Sequence, residues 1–138
     1  MEYLAAQGVV GHFMTANRNQ QVPHGRYSEV MNDSKMSLNF SYSVDCNQLK
    51  ARVFEVMTAG AMLLESENEQ TSRLFSPGKE FVPFESKEDL VEKVRFYLRQ
   101  ENELTAIAGR GYRATRERHG VERFWRSVMG GLNLRVGC

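Results

Sequence analysis

Gln48-Leu49-Lys50-Ala51-Arg52-Val53-Phe54-Glu55-Val56-Met57-Thr58-Ala59-Gly60-Ala61-Met62-Leu63-Leu64-Glu65 carries three signals in succession. Leu49, Val53, Val56 and Met57 recur at the helical period, which predicts an amphipathic helix from Gln48 to about Ala59. Gly60 supplies the stop, because glycine enters the left-handed backbone that closes a helix without a steric penalty. Ala61 to Leu64 is then wholly apolar, the pattern of a short buried strand. Gln48, Arg52 and Glu55 share the opposite edge of the helix.

Upstream, Lys35-Met36-Ser37-Leu38-Asn39-Phe40 alternates polar and apolar residues, as a strand does, and a polar loop from Ser41 to Asn47 follows. Strand, loop, helix and strand make a βαβ unit with parallel strands and a right-handed crossover. The loop after the first strand and the start of the helix then lie at the carboxyl edge of the sheet, where open α/β sheets bind ligands. Tyr27 to Asn32 reads as a short helix, Asn17 to Gly25 as a loop, Gly8 to Met14 as a strand weakened by its glycines, and Met1 to Gln7 as a short helix.

Downstream, Glu67 to Leu74 reads as a short helix and Ser76-Pro77-Gly78-Lys79 as a turn. Phe81-Val82-Pro83-Phe84 reads as a strand whose proline favours the sheet edge. Ser86 caps a helix running to Arg99, with Leu90, Val94, Tyr97 and Leu98 on its buried face. A further helix spans Asn102 to Arg118, and its Gly109 and Gly111 are expected to allow close packing. Gly109-Arg110-Gly111 follows a helix rather than a strand, so it is not a dinucleotide fingerprint. His119 and Gly120 end that helix, with the histidine charge placed favourably at its carboxyl end. Val121 to Met129 forms a last helix carrying Phe124, Trp125, Val128 and Met129. The fold class is thus α/β with a helical C-terminus, organised as a single domain over residues 1–132 with a loose tail at 133–138.

The 138 residues are 41% hydrophobic and 25% charged, enough apolar material for one globular core. A net charge of +1 gives no reason to expect nucleic acid or an anionic membrane as a partner. No run approaches the ~20 apolar residues that span a bilayer, and no leader pattern opens the chain. Cys46 and Cys138 are too distant in sequence to suggest a disulfide framework or a metal cluster, and reduced thiols fit a cytoplasmic setting. Neither a metal nor a bound cofactor is expected. The acidic cluster and strand-end aspartate of a response-regulator-like domain are also missing.

A carboxylate on a helix that opens onto a ligand crevice can accept both hydrogen bonds of a ribose diol, and Glu55 is the candidate. Backbone amides around Asn47, Gln48 and Leu49 at the start of that helix could receive a phosphate, with Lys50 or Arg52 adding charge. Periodicity alone favours a plainer role for Arg52 and Glu55, a surface ion pair three residues apart contributing ~0.2–0.5 kcal/mol. Glu65, Glu67 and Glu69 follow the strand ending at Leu64, so one could approach the crevice, but a solvated acidic helix start is the favoured reading. Cys46 has no histidine placed near it that would activate a thiolate.

Lys35-Met36-Ser37-Leu38-Asn39, Arg52-Val53-Phe54-Glu55-Val56-Met57-Thr58-Ala59-Gly60 and Phe75-Ser76-Pro77-Gly78-Lys79-Glu80 occur in the order seen in group 1 glycosyltransferases. The chain resembles most closely the subset described as spore-protein-like glycosyltransferases. Ser86 to Leu98 and Ile107-Ala108-Gly109-Arg110-Gly111-Tyr112 are similar to that family's closing helices, so the resemblance covers about residues 27 to 129. It implies the carboxyl-terminal, nucleotide-sugar-binding half of a two-domain GT-B enzyme, a Rossmann-like parallel sheet flanked by helices. Glu55 matches the family glutamate at the donor ribose. Asn47 stands eight positions earlier, where many members carry a second glutamate. The resemblance also implies an amino-terminal acceptor domain, here a missing segment or a partner chain, leaving Lys35 and Lys50 as substitutes for that family's phosphate-binding basic residues. A non-catalytic interaction module is the alternative, with the cleft face and the last helix docked to another chain or a second copy.

Overall fold

The computed structural model describes residues 4, 6–8, 24–41 and 48–131. Residues 9–14, expected as a strand, lie outside them, as do His12, Cys46, Asn47, most of the loop read from Asn17 and the tail 133–138. The elements in order are α1 (His24–Asp33), β1 (Met36–Asn39), α2 (Ala51–Thr58), β2 (Met62–Ser66), α3 (Glu69–Leu74), β3 (Val82–Phe84), α4 (Lys87–Arg99), α5 (Glu101–His119) and α6 (Val121–Gly131). Strand and helix alternate through β3, and helices close the chain, as the patterning predicts.

The three strands form a parallel sheet in the order β1-β2-β3. Met36 pairs with Met62 and Asn39 with Glu65 on one side of β2, while Leu64 pairs with Val82 and Ser66 with Phe84 on the other. Pro83 sits in edge strand β3, where a missing N–H donor is tolerated. β2 is central and runs two residues beyond the apolar stretch, so Glu65 and Ser66 belong to the strand.

Side chains alternate across β2 and divide the core in two. Met62 and Leu64 pack with Val82, Phe84, Leu90, Val91, Val94, Leu104 and Ile107, beneath α4 and the first half of α5. Leu63 faces the other way, into Val53, Val56, Met57, Phe75 and Phe81, beneath α2. On α4 the buried residues are Leu90, Val91 and Val94, whereas Leu98 in the last turn is 55% exposed rather than buried.

The helix–glycine–strand junction has a full hydrogen-bonded closure. Gly60 has φ +79°, its N–H donates to the Met57 carbonyl, and the Ala61 N–H donates to the Val56 carbonyl. This double closure is the Schellman arrangement, and Val56 and Ala61 sit in the same apolar cluster as its hydrophobic contact requires. At the start of α4, Ser86 Oγ accepts from the Asp89 N–H, while Asp89 Oδ2 accepts from the Glu85 N–H.

Helix α5 joins the two core layers. Its Leu104, Ile107 and Ala108 lie in one, its Ala114 in the other. It crosses by running past the amino-terminal end of β3, where Gly111 presses so close to the chain that an added Cβ would stand 2.6 Å from the Glu80 carbonyl oxygen. Close packing is thus the role of Gly111, while a Cβ at Gly109 would meet only Arg113 Nη1 at 3.6 Å.

Candidate functional site

Because the strands are parallel, the ends of β1 and β2 and the start of α2 gather at one edge of the sheet. Glu55 lies in the middle of α2 on its solvent side, with 46% of its side chain exposed. Its Oε2 accepts from the Tyr27 hydroxyl and stands 3.2 Å from Arg52 Nε. The Arg52 guanidinium in turn lies over the Tyr27 ring, 5.4 Å from its centroid. The ion pair favoured by periodicity is therefore present, and α1 contributes a third member, Tyr27, that no local pattern indicated. Burial raises the Tyr27 pKa, reinforced by its hydrogen bond to Glu55.

Helix α2 begins at Ala51 and not at Gln48 as expected, because Lys50 takes the cap position in an extended conformation, without a side-chain cap. The Gln48 and Leu49 amides, expected to receive a phosphate, are instead engaged within the chain. The Gln48 N–H donates to the Ser41 carbonyl at 3.3 Å, and the Leu49 N–H donates to Gln70 Oε1 at 2.9 Å. Asn68 Nδ2 donates to the Gln48 carbonyl at 3.2 Å, and Asn68 Oδ1 accepts from the Gln70 N–H. Lys50, Arg52 and Gln48 are thus brought to the same edge, while Asn47 lies outside the described residues.

Beneath this run-in sits Glu65, which is fully buried. The expectation of a solvated acidic helix start does not hold for it, since pairing with Asn39 and Pro83 keeps the residue in the strand. The helix start itself is capped by the side chain of Asn68. Asn39 Nδ2 donates to Glu65 Oε2 at 2.7 Å, and Ser41 Oγ donates to Glu65 Oε1. The Ser41 N–H donates to Ser66 Oγ at 3.0 Å, which ties the chain after β1 to the end of β2. Burial pushes the Glu65 carboxyl above the usual carboxylate range, and donors from Ser41, Asn39 and Asn68 offset this only in part. Thr71 also lies near enough to lower it, although Thr71 Oγ1 makes no hydrogen bond of normal geometry.

Two basic residues proposed as substitutes part company. Lys50 lies at the carboxyl edge, but Lys35 precedes β1 and pairs with Glu101 at the opposite edge. A strand separates them, roughly 13 Å at 3.3 Å per residue, so Lys35 does not join the α2 run-in. A cavity of about 530 Å³ opens beside Lys35, lined also by Asn32, Gly60, Glu101, Tyr112 and Arg113. It lies away from the polar network, and its Lys35–Glu101 pair is mostly exposed, an arrangement that contributes little. The carboxyl edge, with a buried carboxyl and converging donors, is the stronger candidate.

His119 ends α5 as expected, but not as a charge on the helix dipole. Its ring packs against Phe54 and Phe75, 5.6 and 5.1 Å between centroids. Burial lowers its pKa, and neighbouring Arg118 adds to the effect. Nε2 is buried without a partner, which favours the neutral ring.

Among the described residues no group of His, Cys, Asp or Glu is arranged to hold a metal ion. No helix among them is long and apolar enough to cross a membrane. No curated protein and no solved structure matches the chain. A family model described as glycosyl transferase-like matches residues 5–130, which includes every described strand and the whole carboxyl-edge network. A parallel α/β sheet, the α2 run-in at its carboxyl edge and a match of that extent place the chain in the glycosyl transferase-like family.

Proposed function

We propose that the chain is the donor-binding domain of a glycosyltransferase. Joined to an amino-terminal acceptor domain or a partner chain, it would transfer a sugar from a nucleotide-sugar to an acceptor. The family match over residues 5–130 carries this reading. Glu55 accepts the ribose hydroxyls, and Tyr27 and Arg52 hold its carboxylate in place from two sides. Lys50 and Arg52, with Asn47 and Gln48 preceding them in sequence, are assigned to the diphosphate, the cationic side chains rather than the engaged Gln48 amide supplying the contact. Breaking the bond between the sugar and the diphosphate leaves negative charge on the departing nucleotide, and cationic groups at that position stabilise it. Calorimetric titration with UDP, GDP and their sugar conjugates tests the proposal. Binding of one nucleotide series is expected, with Glu55→Ala weakening it about tenfold or more, as for a lost hydrogen bond to a charged group. No binding by the intact protein would remove the reading.

A second reading has its own observation. In α6, Val121, Trp125 and Met129 are 72%, 57% and 48% exposed at successive four-residue intervals, an apolar stripe on the last helix. Phe124 and Val128 have side chains outside the described set. A non-catalytic module docking through that stripe would show a stable dimer in solution and no nucleotide affinity, and a nucleotide-binding monomer would exclude it.

A further inference from the structure

We infer that Glu65 is a positioning residue whose buried carboxylate anchors a chain of hydrogen bonds that sets the run-in to α2. The inference rests on the donor-binding reading for its functional consequence, but its geometry stands apart from it.

The route can be followed atom by atom. Glu65 Oε1 and Oε2 accept from Ser41 Oγ and Asn39 Nδ2, on the chain leaving β1. Ser41 is held a second time by its N–H to Ser66 Oγ, and its carbonyl accepts from the Gln48 N–H. Gln48 and Leu49 are then gripped from the β2–α3 side, by Asn68 Nδ2 on the Gln48 carbonyl and by Gln70 Oε1 on the Leu49 N–H. Both faces of the run-in are thereby referred to the end of β2, the central strand and the best-buried part of the fold. Lys50 and Arg52 follow directly, so their placement depends on this frame.

The choice of a carboxylate is informative. Among the described residues, those whose side chains act on the Glu65 carboxyl, Asn39, Ser41, Asn68 and Thr71, are all uncharged. A side chain with two acceptor oxygens suits two incoming donors. Burial opposes ionisation, a cost that a purely apolar strand end would avoid. Polar residues from β1, β2 and α3 are thus gathered at the one place where the chain turns toward α2.

The test uses the full 138-residue chain with amide hydrogen exchange and calorimetric titration with UDP and GDP. Glu65→Ala and Ser41→Ala should speed exchange at the Gln48 and Leu49 amides and weaken nucleotide binding about tenfold, while α4 amides are unchanged. Glu65→Gln should stay within about twofold of wild type in both, because its amide oxygen can accept from Asn39 and its amide nitrogen can donate to Ser41 Oγ. If Glu65→Ala does not fold, Ser41→Ala carries the same comparison. Unchanged exchange at Gln48 and Leu49 overturns the anchor. Faster exchange with unchanged nucleotide affinity overturns its role at the donor site. Faster exchange in a protein whose wild type binds neither nucleotide upholds the anchor and removes the donor-binding reading instead.

Discussion

Glu65 shows how one side chain can set stability against position. Its pKa is raised by burial, so the folded state holds the proton more tightly than the unfolded chain does. The stability linked to that proton is present below the ordinary carboxylate pKa and is lost as pH rises through the folded value. Glu65→Gln removes this loss, and urea unfolding at pH 8 should find the variant at least as stable as wild type. A markedly less stable variant would mean that the ionised carboxylate is a net stabiliser. His119 titrates with the opposite consequence. Its lowered pKa means that the unfolded chain binds the proton more readily, so stability falls as pH drops below the ordinary histidine value. His119→Phe, which keeps an aromatic ring beside Phe54 and Phe75, should flatten the pH dependence of the urea midpoint between pH 7.5 and 5.5.

At the scale of elements, two glycines in α5 separate a packing requirement from helix propensity. Gly109→Ala places a methyl group in ordinary contact, so it should stabilise by up to about 1 kcal/mol, the usual advantage of alanine inside a helix. Gly111→Ala drives its Cβ to 2.6 Å from a backbone oxygen that cannot swing aside, and a cost of about 1–3 kcal/mol should outweigh that gain. Opposite shifts in the urea midpoint would bear this out; equal shifts would show that α5 can move away from Glu80. Gly60 differs from both, since nothing lies within 4 Å of its added Cβ. Gly60→Ala should therefore cost only the left-handed backbone penalty, about 1–2 kcal/mol.

The end of α2 and the start of α4 were legible because they depend on neighbours in sequence, whereas α2 starts at Ala51 rather than at Gln48, where its apolar period begins. The Gly60 stop and the Ser86 cap are local devices, and both sit where the pattern puts them. The end of β2 was not legible, because Glu65 and Ser66 join the strand only through pairing with β1 and β3. The consequence falls on the site: reading β2 as ending at Leu64 favoured a solvated Glu65 over one at the crevice, whereas pairing on both sides buries it at the strand's end.

Across the whole molecule, α5 links the two core layers and fastens the turn before β3. Arg110 Nε donates to the Lys79 carbonyl at 2.6 Å, and Arg118 pairs with Glu80, whose carboxylate also accepts from the Ser76 N–H at 2.8 Å. Burial alone would raise the Glu80 pKa, but these partners outweigh it and hold the carboxyl below the usual range. Its contribution is therefore present above the ordinary carboxylate pKa and lost as pH falls through the folded value. Glu80→Gln should reduce stability at pH 7, and the gap to wild type should narrow toward pH 3. A gap independent of pH would assign the loss to packing rather than charge.

Sequence by itself determined the α/β alternation, the parallel βαβ unit, the helix stop at Gly60 and the pairing of Arg52 with Glu55. Each follows from periodicity, steric limits on the backbone or the three-residue reach of a helix face. The family likeness was carried by short motifs in a fixed order. Tertiary structure alone decided that Tyr27 meets Glu55, that Lys35 stands at the far edge of the sheet, and that Asn39, Ser41 and Asn68 converge on Glu65. These are contacts between segments that only strand pairing and core packing bring together, and a buried carboxyl is recognisable only once the residues that desolvate it are in place.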